Sequence, residues 1–262
     1  MHTMKRCGRA IALASLIATA VSTAAVAQTD EIQVYDASIA AVGVFNLTWH
    51  NNYVANGSNV QAFPGAAVAD KSWNGVPEWA YGVAPWFEAG LYMPLYSHDR
   101  VGGFGFNGFK LRTLFVSPHA DDRTFCYGIN FEFSYNAKRW DDRRITQEIR
   151  PILGWHLKPW DIIVNPIVDT KYLGGIKGLE AVPAARIAYN VSDGWAIAGE
   201  DYADMGPIGQ LQPWNREVQQ FFAVVDRTGG AVDVEAGAGF ALTNPTDKLT
   251  FKLILSRDLN KK

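Results

Sequence analysis

Charged side chains of both signs recur along this sequence next to apolar or aromatic neighbours. Successive side chains of an extended strand point to opposite faces, so this pattern gathers the charges on one face and the apolar groups on the other. Carboxylates, guanidinium groups and amines that share a face can pair with one another or line a polar passage. The charged positions of this kind are Glu78, Glu88, Lys110, Arg112, Glu132, Glu148, Arg150, Arg186, Glu200, Glu235 and Lys252.

Two functions fit this set of charges equally well. In the first, basic and acidic side chains face each other across a lumen and form a selective pore for a small solute. In the second, the same side chains form an internal salt-bridge network that only satisfies a polar interior. The groups expected to face each other are Lys110, Arg112, Arg150 and Arg186 on one side and Glu78, Glu132 and Glu148 on the other.

Residues suited to nucleophilic catalysis are present but poorly arranged in the sequence. Ser97 and His98 are direct neighbours, which does not make a nucleophile and base pair, and Ser134 lies within a strand pattern. His156 is a further candidate, and no G-x-S-x-G segment occurs. We therefore expect no enzyme, although a lipid-modifying barrel that uses His98 or His156 remains a weaker alternative.

Metal and thiol chemistry are also weakly supported. The histidines are scattered, and the pairs Asp121–Asp122 and Asp141–Asp142 are more typical of solvated loop charge than of a calcium site. Cys7 would leave with the export signal described below, so Cys126 is alone and cannot form an internal disulfide. We interpret Cys126 as a small inward-pointing residue and expect neither a metal nor a cofactor.

The element that organises the chain is the stretch 125–136, FCYGINFEFSYN. Phe125, Tyr127, Phe131 and their partners at every second position are aromatic or apolar, whereas Cys126, Glu132 and the other intervening residues are small, polar or charged. A strand in a soluble sheet usually has about five or six residues. Ten or more is the length that a tilted strand needs to cross a bilayer, so the stretch predicts a transmembrane strand.

The same alternation predicts twelve strands in all. They are expected at 42–52, 75–83, 87–96, 108–116, 125–136, 144–156, 161–170, 180–191, 195–202, 217–226, 232–242 and 249–258. Strands seven and ten are the least regular, which leaves ten or fourteen strands as alternatives. The predicted fold is all-β: an antiparallel up-and-down transmembrane β-barrel of about twelve strands.

Connection lengths support a membrane barrel rather than a soluble sandwich. Short links near residues 85, 120, 159, 193 and 229 alternate with longer ones near 65, 102, 140, 175, 210 and 245. Outer-membrane barrels have short periplasmic turns and longer external loops, and an even strand number brings both termini to the periplasmic side. Tryptophans also cluster at the connections, as in the aromatic girdles at the two interfaces; they are Trp86, Trp160 and Trp195 near short turns and Trp73, Trp140 and Trp214 in long loops.

The N-terminus is typical of an exported protein. Lys5, Arg6 and Arg9 precede an apolar run from Ala10 to Ala20, and small residues end at Ala27, so we expect a signal peptide over 1–27. Residues 28–262 then form one barrel domain, with a periplasmic lead-in over 28–41 and the barrel over 42–259. The whole chain has 24 basic and 26 acidic residues, and loss of the three signal cations increases the acidic excess, which excludes a nucleic-acid partner.

Several segments together resemble a family of outer-membrane β-barrels described as porins or transporters and linked by name to meta-pathway phenol degradation. They are FNLTWHNNY (45–53), VPEWAYGVAPWFEAGLYMPLY (76–96), FKLRTLF (109–115), YGINFEFSYN (127–136) and EIRPILGW (148–155). The resemblance implies an outer-membrane location and passage of hydrophobic or aromatic small molecules. It supplies no functional residues.

The sequence as a whole therefore predicts a porin-like channel in the outer membrane of a two-membrane bacterium, for passive passage of a small solute. Its expected partners are membrane lipids, the solute and the barrel insertion machinery. That machinery usually recognises a terminal aromatic residue, whereas this chain ends Leu259-Asn260-Lys261-Lys262 and Leu259 is expected to substitute. A non-conducting barrel whose loops bind a partner or lipid at the surface is the alternative.

Overall fold

The structure is a computed structural model that describes residues 30–260, so the signal peptide expected over 1–27 lies outside the described residues. The chain forms twelve strands, which we number β1 to β12; β7 and β8 are each divided into two pieces. Their bounds are Phe45–Asn56, Trp73–Ala84, Phe87–Asp99, Gly103–Val116, Phe125–Asn136, Ile145–Leu157, Trp160–Asn165 with Val168–Thr170, Glu180–Ala181 with Ala184–Ser192, Trp195–Asp204, Val218–Arg227, Asp233–Ala241 and Leu249–Asp258. Between residues 30 and 260, no helix is long and apolar enough to cross a membrane.

The strands form one closed barrel. Each strand pairs antiparallel with its neighbours in the sequence, and β1 also pairs with β12. This last pairing runs from Asn46 opposite Asp258 to Asn56 opposite Leu249. Because closure leaves no unpaired strand edge, every strand satisfies its backbone hydrogen bonds within the wall. The predicted twelve-stranded up-and-down barrel is confirmed.

The two faces of the wall differ as the alternation predicts. On β5, Tyr127 and Phe133 are exposed on the outer surface, whereas Asn130 and Glu132 are almost completely buried in the interior. A water-soluble protein places its apolar face inside, so this barrel has the opposite arrangement. The outer surface is apolar, and the interior contains buried polar and charged side chains together with smaller apolar clusters.

The connections define two ends of the barrel, which we call the short-turn end and the long-loop end. Trp86, Trp160 and Trp195 are exposed near the short-turn end, and Trp73 and Trp214 near the long-loop end, which agrees with two aromatic rims. Trp140 differs from the girdle prediction: its side chain is buried within loop 137–144.

One expected long loop is instead a hairpin that extends beyond the neighbouring strands. The glycine-rich stretch 97–107 continues β3 to Asp99 and begins β4 at Gly103, and Gly103 has a φ of +62°. Alternation persists along it, because Asn107 is buried while Phe104 and Phe106 are exposed. Three glycines favour a loop in the sequence, but the paired backbones keep the strands extended to the turn.

Two irregularities interrupt the regular strand pairing, and the first of them changes which residues face the lumen. A bulge between Tyr92 and Leu95 in β3 turns Leu95 inward, where it is completely buried, although the simple alternation places it outside. In β7 and β8, Pro166 and Pro183 interrupt pairing at the same height, since proline has no N–H to donate. Val182 N–H still donates to Ile167 O there at 3.0 Å. The predicted irregularity of strand seven is thus confirmed, whereas strand ten pairs regularly.

Candidate functional site

A segment that precedes the first strand passes through the lumen. We call residues 30–41 the lumen segment. At its inner end the Asp30 carboxylate lies 2.9 Å from Lys110 Nζ, midway along β4. At its other end Ala40 N–H donates to Glu88 Oε2 at 2.6 Å, and just beyond it Gly43 N–H donates to Gly82 O at 2.8 Å. The segment therefore runs from the middle of the barrel to the short-turn end and leaves there to begin β1.

The lumen segment differs from the periplasmic lead-in predicted for residues 28–41. Ile32, Val34, Tyr35 and Ala37 are each at most 7% exposed, which places the described part of that stretch, 30–41, inside the barrel. The physical reason is that the wall satisfies its backbone: Asn165 Oδ1 accepts from Tyr35 N–H at 2.8 Å and Asn165 Nδ2 donates to Tyr35 O at 2.9 Å. A buried backbone needs such partners, and here they come from far along the chain.

Tyr35 is surrounded by wall residues. The Arg150 guanidinium lies 4.2 Å from the centroid of its ring and the Arg112 guanidinium lies 5.5 Å away. Its hydroxyl is hydrogen-bonded to the Tyr92 hydroxyl and lies 3.3 Å from Glu132 Oε1. Cations stacked on a buried aromatic ring are attracted by its π-electrons, so Tyr35 links the segment to the charged interior.

The first charged cluster of the wall is built on β1, β2, β3 and β4. Arg112 Nη2 lies 2.8 Å from Glu78 Oε1 and also pairs with Glu88. His50 Nε2 lies 3.2 Å from Glu78 Oε2. Strand pairing brings these groups together, since Glu78 is opposite Tyr92 and Arg112 is opposite Gly90, which leaves room for the guanidinium. The two carboxylates share the Arg112 Nη2 group, whereas the buried Nε of Arg112 has no hydrogen-bond partner among the described residues.

The second cluster lies on β4, β5 and β6. Lys110 Nζ lies 3.5 Å from Glu132 Oε2 in addition to its contact with Asp30. Arg150 Nε lies 2.7 Å from Glu148 Oε1 on the same strand, and Arg150 Nη1 donates to Gln33 O at 2.9 Å. The cations of this cluster therefore hold the lumen segment as well as the wall.

The third cluster lies on β8, β9, β10, β11 and β12. Arg186 pairs with Glu200 and Asp226, and its Nη1 lies 3.6 Å from Glu235 Oε2. Lys252 Nζ lies 2.6 Å from Glu235 Oε1 and also pairs with Glu200. The Lys252 side chain is completely buried, and its amine donates to Ile32 O of the lumen segment at 3.3 Å.

All eleven charged positions predicted from the sequence, from Glu78 to Lys252, have their side chains inside the barrel. Their pairing differs from the expected contacts across an open lumen. Arg112 does reach Glu78 and Lys110 does reach Glu132, but both pairs join nearby strands, and Arg186 contacts none of the three carboxylates expected to face it. The centre of the barrel is occupied by the lumen segment, so charges pair along the wall or with that segment.

Sequence analysis missed several interior residues. Asp30, Glu31 and Tyr35 lie in a stretch too mixed to read, and Asn165 looks like an ordinary polar residue before a proline. A usable signal was the alternation of Tyr35, Ala37 and Ile39 with the polar residues Asp36 and Ser38 just ahead of the first strand, which is typical of a half-buried extended chain.

Glu31 is buried inside the barrel without a hydrogen-bond partner among the described residues for either carboxylate oxygen. The charges that act on it have both signs: Glu132 opposes it, and His50, Arg150 and Lys110 attract it. A buried charge that lacks hydrogen bonds destabilises the state that contains it. Glu31 therefore destabilises the position of the lumen segment inside the barrel.

Replacing Glu31 with glutamine should raise the free energy of unfolding by about 1 kcal/mol, because the neutral amide has nearly the same shape and avoids the cost of burying a charge. Urea unfolding of the barrel in lipid vesicles measures the change. Glu132→Gln is the matched control: Glu132 accepts from Asn130 Nδ2 at 2.8 Å and pairs with Lys110, so this variant should be less stable. Equal losses in both variants would contradict the interpretation of Glu31.

Gly82 marks the point where the lumen segment leaves the barrel. A Cβ atom built there would lie 2.2 Å from Ala41 O and 2.3 Å from Ala40 O, both backbone atoms. Gly82→Ala should therefore displace the lower end of the segment and cost about 1–3 kcal/mol of stability in the same urea experiment. Gly199→Ala is the control, because its Cβ would meet only the Phe221 ring at 3.0 Å and should cost much less. Equal costs would show that the segment tolerates displacement.

Cys126 has a base partner that the sequence did not reveal. Its Sγ lies 3.6 Å from His156 Nε2, and His156 Nδ1 lies 2.7 Å from Asp161 Oδ1. Thiol, imidazole and carboxylate are in the order found in cysteine hydrolases. The thiol is completely buried, however, beneath the carbonyl of Asp36 at 3.5 Å, so a substrate cannot reach the sulfur in this arrangement. Ser97 and His98, the sequence candidates, point to opposite faces of β3, one buried and the other exposed.

At the long-loop end the loops pack on one another. Ala67 N–H, in the buried stretch 66–69, donates to Arg139 O at 2.9 Å, and Arg139 pairs with Asp99 at the tip of the β3–β4 hairpin. Loop 57–72 is also joined to loop 243–248, because Ser58 N–H donates to Asp247 Oδ1 at 3.0 Å. Burial raises the pKa of the Asp247 carboxyl, and the Ser58 N–H opposes this rise.

A cavity of about 320 Å³ lies at the opposite end, between the lumen segment and the wall formed by β6 to β12 and β1. Gly194 and Thr228, which belong to two short turns, are among its lining residues, so it reaches the short-turn end. The interior is thus filled on one side by the segment and hollow on the other. Within the described residues, no group of His, Cys, Asp and Glu side chains is arranged to hold a metal ion.

No protein-family profile matches the sequence, and no curated protein matches it. Among solved structures, an outer membrane channel from Pseudomonas putida F1 is similar, with a TM-score of 0.55 and 13% identity over 87% of this chain and 100% of that chain. The NanC porin is also similar, with a TM-score of 0.51 and 8% identity over 82% of this chain and 100% of that one. At such low identities the similarity concerns the fold, which is a closed antiparallel barrel.

Proposed function

We propose that the protein is an outer-membrane channel of a two-membrane bacterium that passes a small solute passively. The observation that carries the proposal is the polar lumen inside an apolar outer surface, with a cavity of about 320 Å³ at one end. Barrels with this distribution of polarity cross the outer membrane and conduct through their interior. The fold shared with an outer membrane channel and a porin supports the same function.

In this proposal the short-turn end faces the periplasm and the long-loop end faces outward. The lumen segment then enters the barrel from the periplasmic side, and the cavity opens to the periplasm. Solute has to pass beside the segment or displace it. The candidate lumen-lining residues are those of the three charged clusters, and the resemblance to the phenol-degradation family favours a hydrophobic or aromatic solute.

Single-channel conductance of the chain from residue 28 onward, refolded into a planar bilayer, tests the channel. Glu235→Gln is the informative variant, because Glu235 lines the cavity and its loss changes the charge there. Asp122→Asn is the control, an exposed residue in a short turn outside the cavity. We expect discrete current steps whose cation preference falls in Glu235→Gln and not in Asp122→Asn. Silence from a chain shown to be folded and inserted would overturn the proposal.

A non-conducting barrel whose loops bind a partner or a lipid is the second candidate. The lumen segment and the mutual packing of the long loops favour it, because both reduce the open space within the barrel. The two functions differ in one measurement. If the folded barrel stays silent even after the lumen segment has been removed, the barrel is closed by its own wall and the loops become the site to study.

A further inference from the structure

The cavity at the short-turn end has an unusual balance of charge. Its lining includes the carboxylates of Asp36, Asp161, Asp226, Asp233 and Glu235. A single arginine, Arg186, and a single histidine, His156, are the basic groups of the lining. The balance of lining charges is therefore strongly negative whether or not the imidazole is protonated.

The cations beside the cavity are already paired. Arg186 is surrounded by Glu200, Asp226 and Glu235, and Lys252, which is buried in the barrel interior, is shared by Glu200 and Glu235. Two cations thus face three carboxylates. An anion that entered the cavity would find no unpaired positive group, and it would be repelled by the remaining carboxylates.

Other lining carboxylates have no cationic partner of this kind. Asp233 Oδ1 accepts from Gly229 N–H at 2.8 Å and Asp36 Oδ1 accepts from Ser38 N–H at 3.0 Å, and no lysine or arginine between residues 30 and 260 lies within ion-pair distance of either. Asp161 pairs with the His156 ring and accepts from Asn190 Nδ2 at 2.6 Å. A bound cation would supply the charge that these groups lack.

The rest of the lining is partly apolar and partly polar, and its polar side chains are those of Gln33, Thr48, Asn190, Thr228 and Ser256. Val34 of the lumen segment and Ile163, Val234 and Ile254 of the wall contribute to the apolar part. The volume of about 320 Å³ lies at the lower end of the range of roughly 300–1,000 Å³ that is common for small-molecule sites. A bare metal ion would leave most of this space empty and would gain nothing from the apolar wall.

We propose that the cavity binds a small organic cation, an amine or ammonium compound with a short apolar body, as the solute of the channel. The ammonium group would lie beside Asp161 and Asp233, which have no lysine or arginine partner among the described residues, and the apolar body would lie against Val34 and Ile254. This inference deepens the proposed channel function. It rests on that function only where it identifies the bound cation as the solute that the channel passes, because binding itself can be measured without any current.

Butylammonium and butyrate form a matched pair of probes, because they have similar size and opposite charge. Calorimetric titration of the full folded barrel in lipid nanodiscs should show that butylammonium binds at least about tenfold more tightly than butyrate, which is the effect of one well-placed charged hydrogen bond. The double variant Asp161→Asn/Asp233→Asn should weaken butylammonium about tenfold. Asp122→Asn, at the same end but outside the cavity, should leave binding unchanged.

The outcomes separate the two proposals. Equal affinity for both probes, or an affinity that the double variant does not change, overturns the cation site. If butylammonium binds as expected and the bilayer stays silent, the site stands and the channel fails. If the bilayer conducts without cation preference and no butylammonium binds, the channel stands and the cation site fails.

Discussion

Deletion of residues 30–41 should raise the single-channel conductance of the folded barrel several-fold. The lumen segment occupies the interior beside β3, β4, β6 and β12, where it contacts Glu88, Lys110, Arg150 and Lys252. Its removal leaves a polar interior that water and ions can fill, as in larger barrels of this kind. The measurement is the height of the current steps in a planar bilayer, compared between the shortened chain and the chain that begins at residue 28.

Two controls make this result specific. The shortened chain has to show the far-ultraviolet circular dichroism and the heat-dependent gel mobility of a closed barrel, so that a collapsed wall is not mistaken for an open one. A synthetic peptide of residues 30–41, added on the side of the short turns, should reduce the enlarged current, while a scrambled peptide should not. Identical step heights for the two folded chains would mean that the segment does not limit conduction.

Replacing Lys252 with methionine should lower the free energy of unfolding by about 3–5 kcal/mol, the usual cost of leaving buried charges without a partner. The amine is completely enclosed, and its removal leaves Glu200 and Glu235 to share Arg186 alone. It also removes the donor to Ile32 O. Urea unfolding in lipid vesicles, followed by tryptophan fluorescence, measures the loss.

A second substitution tests the reason for that loss. Lys252→Met combined with Glu235→Gln should recover part of the stability, since it removes one of the two carboxylates left unpaired. Lys138→Met serves as the comparison for the chemical change alone, because Lys138 is exposed in a long loop and should cost at most about 0.5 kcal/mol. A loss at Lys252 as small as that at Lys138 would show that the third cluster contributes little.

The barrel itself could be predicted from the sequence because each strand carries its own evidence. On β5, Tyr127 and Phe133 alternate with Asn130 and Glu132, and the pattern has only one physical meaning once it exceeds the length of a soluble strand. The same local rule places Arg112 and Glu200 inside. The alternation of residues along each strand therefore predicted whether a side chain faces the lumen or the outer surface. It did not predict which groups each charged side chain contacts.

The contents of the lumen could not be predicted in this way. Tyr35 is bound by Asn165, which is 130 residues away, and a local pattern contains no record of such a contact. The partners of Arg186 depend on which strands are adjacent and on how far each is shifted, as its register opposite Glu200 shows. Leu95 was misplaced for a related reason, because a single bulge reverses parity for the rest of the strand.

The contact between Cys126 and His156 could not be predicted from the local sequence pattern either. Cys126 and His156 belong to neighbouring strands, and they meet because Cys126 lies opposite Gly154, whose missing side chain leaves room for the sulfur. Spacing along the chain gives no hint of this. The sequence correctly predicted a small inward residue, and the proximity to a base became visible only with the register of β5 against β6.

The lumen segment is held partly by hydrogen bonds from β1 and β12, the two strands whose pairing closes the barrel, and this affects the order in which the barrel assembles. Asn52 and Lys252 face each other across that seam; Asn52 Nδ2 donates to Asp30 O at 3.0 Å and Lys252 Nζ to Ile32 O at 3.3 Å. β12, which closes the barrel against β1, thus completes both the wall and the hold on the residues that precede β1. Folding intermediates that lack β12 lack the Lys252 contact with Ile32 O, so closure of the seam also completes the set of contacts that holds the segment.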